Sequence, residues 1–338
     1  MNVRKSLLAV ALLVSLAAGY SAAGTAKEKP RRRREIAERG PAVLWANPAD
    51  IESRNLFYGP GGRSHVPRDA FTFVKEDLKG TNPKFVVMDE DGVKWKVKLG
   101  NEARPETVAS RIVWAVGYQA NEDYFLPELR VRGMPARLHR GQKLVGPDGT
   151  VRNVRLKRES ADEKKIDTWR WRNNAFTGSR ELNGLRTLMA VLNNWDLKDE
   201  NNAIYENGGD RIYLVSDLGA SFGCASRCWP RERAKGDLEE YSRSAFIRRV
   251  TPDIVSFETP ARPRYVYLVN PKEYLSRVRL EWIGRNIPRA DAKWMGSLLA
   301  RLSSKQIHDA FRAAGYSERE VDAFSNLLQR RIVMLTDL

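Results

Sequence analysis

Asp196 and Asn201 stand five positions apart in the segment NNWDLKDENN, and Asp217 follows sixteen positions later in SDLG. A carboxylate, an amide and a second carboxylate in this order suit phosphoryl transfer. One carboxylate orients or deprotonates an attacking hydroxyl, while the amide oxygen and the second carboxylate bind the metal that accompanies a triphosphate. Magnesium takes hard oxygen ligands and keeps several waters, so two protein groups are sufficient, and Mn²⁺ accepts the same donors.

Such residues need elements to hold them. Before Asp196, the stretch Arg180 to Asn193 puts Leu182, Leu185, Leu188, Met189 and Leu192 on one helical face, which predicts a buried helix running into the Asp196 loop. After Asn201, Ala203 to Tyr205 and Ile212 to Val215 read as two short strands around Asn207-Gly208-Gly209, and the second delivers Asp217. Upstream, Phe71 to Val74, Phe85 to Met88 and Val93 to Leu99 read as three antiparallel strands, the last two joined by an Asp-Gly turn. Pro105 opens a helix whose apolar stripe (Val108, Ala109, Ile112, Val113, Val116) ends near Gly117. A second hairpin is expected from Ala136 to Arg158 around Gly146-Pro147-Asp148-Gly149. At the far end, Ser304 to Ala314 and Ser317 to Leu335 predict two helices, with Gly315 ending the first and a Ser317/Glu320 capping box opening the second. The expected class is α+β in two lobes: a β-rich N-terminal lobe with one main helix over 55–172, and a mostly helical C-terminal lobe over 173–338.

On these residues the chain resembles the protein kinases. NWDLKDEN is similar to their catalytic loop, His-Arg-Asp-Leu-Lys-Pro-Glu-Asn, and SDLG to their Asp-Phe-Gly metal motif. The resemblance implies a kinase-like fold in which Asp196 is the catalytic Asp and Lys198 contacts the transferring phosphate. It makes Asn201 and Asp217 the metal ligands for Mg²⁺ or Mn²⁺. LKGTNPKF resembles the phosphate loop of HipA-like kinases, which assigns Gly80, Thr81 and Lys84 to the nucleotide, ATP or another nucleoside triphosphate. VKLG resembles the strand bearing the nucleotide lysine, making that residue Lys98, and Glu106 in the next helix matches its ion-pair partner. The likeness spans roughly Phe71 to Gly223.

Departures shift it towards atypical kinases of the HipA-like, secretory-pathway and phosphoinositide type. Asn194 and Trp195 replace the family's His and Arg, leaving no Arg beside Asp196 in the loop to receive an activation-loop phosphate. No glycine triad precedes Lys98 and no Ala-Pro-Glu follows Gly219. Lys96, on the same strand face, competes with Lys98; Glu102 competes with Glu106; Gly59-Pro60-Gly61-Gly62 is a rival phosphate loop. Two functions remain open. One is a kinase acting on a hydroxyl of a protein, lipid or glycan acceptor, and the other is a catalytically silent kinase-like module that binds a nucleotide, a polyanion or a partner.

The N-terminus bears on the choice. Arg4 and Lys5 precede an apolar run from Leu7 to Ala18 and a small-residue exit at Ser21-Ala22-Ala23, the pattern of a secretory signal over 1–23. The expected destination is periplasmic or extracellular, with an uncleaved N-terminal membrane anchor as the alternative, and export favours the silent module because ATP is scarce outside the cytoplasm. A basic linker follows over 24–54, with order beginning near Asn55. The two cysteines, Cys224 and Cys228, are close enough to form a disulfide in an oxidising compartment. His65, His139 and His308 are scattered without metal-ligand spacing, and no GxSxG elbow occurs. The 338 residues are 42% hydrophobic and 30% charged, which excludes a chain disordered throughout. A net charge of +16 favours anionic surfaces as partners. Nucleic acid is not expected, since the basic stretch Val151 to Arg158 alternates like a solvated strand face.

Overall fold

A computed structural model of the chain describes residues 40–80, 82–160, 164–225, 231–259 and 263–338. The signal segment, Thr81 and Cys228 lie outside the described residues, and with Cys228 so does the expected disulfide pairing. Among the described residues no helix is long and apolar enough to cross a membrane.

The chain is α+β, strand-rich in its N-terminal half and mainly helical in its C-terminal half. Its first strand, β1 (Ala42–Val43), precedes β2 (Phe71–Glu76), β3 (Lys84–Met88) and β4 (Lys94–Lys98). Helix α1 (Ala103–Ala115) follows, then β5 (Asp123–Arg132), β6 (Thr150–Glu159) and β7 (Lys164–Asp167). Five of these strands close a barrel in the order β2-β3-β4-β6-β5. Alternation along the strands sets its two faces. Phe85, Val87, Trp95 and Val97 fill the inside with Leu129, Val154 and Leu156, while Lys84, Lys96 and Lys98 point out.

Helix α2 (Arg180–Val191) opens the second half, capped by Ser179, whose hydroxyl accepts from the Leu182 amide. The hairpin β8 (Asn202–Asn207) and β9 (Asp210–Val215) follows, then α3 (Leu238–Arg243), β10 (Ile247–Val250) and β11 (Ile254–Phe257). The chain finishes with α4 (Tyr265–Val269), α5 (Pro271–Leu280), β12 (Ile287–Pro288), α6 (Arg289–Leu299), α7 (Ser304–Arg312) and α8 (Glu318–Thr336). The Ser317/Glu320 capping box starts α8, and Gly315 adopts a left-handed φ of 69° between α7 and α8. The stripe of α1 (Val108, Ile112, Val113) packs into the core of this helical half rather than into the barrel, so α1 joins the two.

Three expectations change. The linker expected over 24–54 ends earlier: β1 pairs in parallel with β9, and Leu44 and Ile51 are buried in the main core. The hairpin expected from Ala136 instead pairs β5 with β6, Asp123 opposite Lys157 and Arg130 opposite Thr150, leaving 133–149 as the connection. Pro127 disguises β5 in the sequence; it is tolerated because β5 meets its other neighbour, β2, only at Val131 and Arg132. The helical half also carries a small sheet, β10-β11-β12, that the sequence reading did not include.

Candidate active site

Lys98 ends β4, and the chain turns through Gly100 (φ 91°) directly into α1. Glu102 and Glu106 are four positions apart, so both face the lysine from the start of the helix. The Lys98 Nζ lies 2.7 Å from Glu102 Oε2, 2.9 Å from Glu106 Oε2 and 3.0 Å from Asp217 Oδ1. The choice between Glu102 and Glu106 therefore does not arise, as both hold the lysine. Lys96, two residues earlier, instead meets Asp77 at 3.5 Å and Glu159 at 3.2 Å.

The network extends behind Lys98. Arg155, opposite it on β6, donates to Glu106 at 2.8 Å and stands 3.4 Å from Asp123, while Lys235 reaches Glu102 at 2.9 Å. Only 5% of Arg155 is exposed, against the solvated face expected for this strand. Asn82 donates to Glu102 Oε2 at 2.6 Å, tying down the loop that carries Gly80, whose carbonyl accepts from Arg140. Gly80 has a left-handed φ of 71°, and Lys84 follows at the start of β3.

The buried charges balance one another. Burial alone would lower the Lys98 pKa, but Glu106, Asp217 and Glu102 raise it above the usual lysine value. Burial likewise opposes the charge on Asp217, yet Lys98 and the Gly219 amide hold its carboxyl at about 2. Burial pushes Glu106 up despite Arg155 and Lys98.

Asp196 sits on the other wall. Asn193 and Asn194 follow helix α2 and are both buried; Asn193 takes a left-handed φ of 51° and donates to the Gly223 carbonyl at 2.7 Å. The Asn194 side chain accepts from the Asp196 amide at 3.2 Å and donates to the Asp217 carbonyl at 3.4 Å. Asp196 Oδ2 accepts from Asn201 at 3.2 Å, and Oδ1 meets Lys198 at 3.2 Å and Arg277 at 3.1 Å. Asn201 and Asp217 are neighbours because β8 and β9 pair from Asn202 opposite Val215, and the Ser216 amide closes the ladder on the Asn201 carbonyl at 2.8 Å. Gly219 is required by proximity, since a Cβ there would come within 2.6 Å of the Glu102 Cβ.

Two groupings of oxygen ligands are possible metal sites. Carboxylate atoms of Glu102, Glu106 and Asp217 lie within 4.8 Å of one another, but the Lys98 ammonium is bonded to all three and serves as their cation. Asn201 and Asp217 fit a divalent ion better. The Asn201 Nδ2 is committed to Asp196 and Asp217 Oδ1 to Lys98 and Gly219, while Asn201 Oδ1 and Asp217 Oδ2 accept no hydrogen bond among the described residues. Both side chains line the same 640 Å³ cleft as Asp196, Lys198, Gly80, Lys84, Lys98 and Glu106. All the described residues expected at the site thus converge on one cavity.

Arg277 was missed. It comes from α5, is 6% exposed, and forks onto Asp196, the Trp195 carbonyl (2.6 Å) and Glu273 (3.0 Å). It supplies from the helical half the guanidinium beside Asp196 that the loop itself lacks, and the Glu273/Arg277 spacing of four on one helix face was its only local signal. Each histidine instead meets one surface carboxylate: His65 with Glu122, His139 with Glu76 and His308 with Asp322. Cys224 is buried and lines the cleft.

Among solved structures, the chain is similar to the proinflammatory kinase CtkA of Helicobacter pylori, with a TM-score of 0.46 and 12% identity over 80% of this chain and 97% of that one. No family model and no curated protein matches the sequence.

Proposed function

We propose that the chain is a metal- and nucleotide-dependent phosphotransferase with a kinase-like arrangement of its two lobes, acting on a hydroxyl of a protein or envelope molecule after export. The observation that carries this reading is the placing of Lys98 against Glu106 on one side and Asp217 on the other, with Asn201 and Asp196 on the facing wall. Lys98 binds phosphate oxygens and is kept charged and oriented by Glu102 and Glu106. Asn201 and Asp217 hold the divalent cation, which when bound neutralises charge on the phosphates. Asp196, fixed by Arg277 and Asn201, orients the acceptor hydroxyl and takes its proton, and Lys198 meets the phosphoryl group in transit.

Two variants test the division of labour. In wild-type protein, nucleotide at about 100 times its dissociation constant adds about 2.7 kcal/mol of stability. Asp217→Ala should abolish the part of that gain which depends on Mg²⁺ or Mn²⁺. Asp196→Ala should keep nucleotide binding while transfer of labelled phosphate falls about 10²- to 10⁴-fold, because a group acting on the acceptor matters chiefly in the transition state. An Asp217→Ala protein with the full metal-dependent thermal shift, or equal loss of binding and transfer in Asp196→Ala, would refute the reading.

A further inference from the structure

The wall of the cleft formed by the barrel carries more positive charge than phosphoryl transfer at Lys98 requires. Lys84 lies directly opposite Lys98 on the β3/β4 pair, Lys98 opposite Arg155 on β4/β6, and Lys96 opposite Lys157 on the same pair. Residues directly opposite on antiparallel strands share a face, and like charges so placed destabilise a sheet. Five cations therefore form a cross-strand ladder on the face that lines the cavity. On the facing strand pair, Lys165 lies opposite Tyr205, and both line the same cavity.

Compensation within this set is incomplete. Lys98 and Arg155 have the acidic network, and Lys96 has Asp77 and Glu159. Lys84, Lys157 and Lys165 have no carboxylate within 4.0 Å among the described residues, and Lys157 meets only the Tyr205 hydroxyl, at 3.1 Å. The lysines also feel one another: burial first, then Lys157, Lys96 and Lys79, lower Lys165 below the usual lysine value despite Tyr205. Burial does the same to Lys84, opposed by Asp77 and Asp217 and reinforced by Lys96 and Lys98. Among the described residues, β3, β4 and β6 present only charged side chains to the cavity, and its apolar lining (Trp195, Tyr205, Ala220, Ala234) comes from other segments. A half-buried set of ammonium groups without a carboxylate in direct contact gains from phosphate.

We infer that the lysine-lined end of the cleft, built from Lys84, Lys96, Lys157 and Lys165, is an oligophosphate subsite. It takes a ligand bearing a run of phosphate groups, held by ammonium–phosphate contacts. The inference rests on the phosphotransferase reading for the role of the neighbouring Lys98 end. Such phosphates come either from an inorganic chain or from a nucleotide lying with its phosphates along the lysines.

The test is calorimetric titration of the full chain with inorganic tripolyphosphate, ATP and adenosine, with and without Mg²⁺. Tripolyphosphate should bind, adenosine should not, and Lys84→Gln and Lys165→Gln should each weaken tripolyphosphate at least fivefold. Both variants should melt at the same temperature as the ligand-free wild type or higher, because each removes a repelled charge, so weakened binding is not misfolding. Tripolyphosphate binding at least tenfold tighter than ATP identifies an inorganic chain as the source; ATP binding that the two variants weaken equally identifies a nucleotide. If Lys84→Gln and Lys165→Gln leave both ligands unaffected while Asp217→Ala still abolishes metal-dependent ATP binding, the subsite is refuted and the phosphotransferase reading stands. Lysine-dependent tripolyphosphate binding without transfer to any hydroxyl has the opposite meaning: the subsite stands and the phosphotransferase reading falls.

Discussion

The two walls of the cleft hold their working residues by different means. Around Lys98 the charges are buried and mutually compensating, drawn from β4, α1, β6 and the end of β9: Lys98 is 5% exposed, Glu106 1% and Arg155 5%. Around Asp196 the carboxylate is partly open, with 28% of its side chain exposed, and among the described residues its one buried cationic contact is Arg277, from a helix 81 positions along the chain. A buried network cannot lose one member without stranding the rest, whereas a partly exposed loop can lose its tether and be rescued by water. The Lys98 wall thus couples function to stability more tightly than the Asp196 wall does.

The largest effect should therefore come from Lys98→Met. It leaves the carboxylates of Glu102, Glu106 and Asp217 together without their shared cation, and breaking a buried pair in this way costs about 3–5 kcal/mol. Urea unfolding should show that loss, and nucleotide affinity should fall with it. Lys96→Met, at a lysine with a third of its side chain exposed, should cost under about 1 kcal/mol. In a double-mutant cycle read by nucleotide affinity, Glu106→Gln should add little to Lys98→Met, because Glu106 acts on the nucleotide through Lys98. If Lys96→Met proves the more damaging change, the nucleotide lysine has been placed two residues too late and the contrast between the walls fails.

Arg277→Lys sharpens the same contrast with a smaller effect. Lysine keeps the positive charge but cannot span Asp196, the Trp195 carbonyl and Glu273 at once, because it lacks the planar fork of donors. Loss of orientation should lower the transfer rate roughly tenfold and leave the nucleotide KM unchanged, with about 1–2 kcal/mol of stability lost through the buried hydrogen bonds. A raised KM at unchanged kcat would show that Arg277 serves binding instead of the position of Asp196.

Legibility in the sequence followed the same division. Asp196, Asn201 and Asp217 stood out because a carboxylate, an amide and a second carboxylate in that order suit phosphoryl transfer, and Lys98 through the resemblance of VKLG; the hairpin between Asn201 and Asp217 announces itself through Asn207-Gly208-Gly209. Arg155 was hidden by its own regularity. Alternating basic residues on a strand signal a solvated face, and here that face roofs the cleft. Arg277 was hidden by distance, since no local pattern links α5 to a loop so far upstream. The early packing of Leu44 and Ile51 escaped notice because two apolar residues without a common period define no element.

The smallest expected effect lies at the residue where the walls meet. Asp217 is bonded to Lys98 on one side, and its backbone carbonyl accepts from Asn194 of the Asp196 loop on the other. Burial would raise its carboxyl above the ordinary value of 3.8, but Lys98 and the Gly219 amide hold it at about 2. A carboxyl depressed in the folded state stabilises the fold above the unfolded-state pKa, and that contribution is lost as pH falls through the folded value. The window is therefore between about pH 4 and pH 2. With 32% of the side chain open to water, screening reduces the contribution to about 1 kcal/mol. In buffer containing EDTA, so that bound metal plays no part, the urea midpoint of wild-type protein should drop more across this window than that of Asp217→Asn, which has no proton to gain. Parallel acid limbs in the two proteins would mean that Lys98 does not grip Asp217 in the absence of ligand, and the buried network would then end at Glu102 and Glu106 without joining the walls.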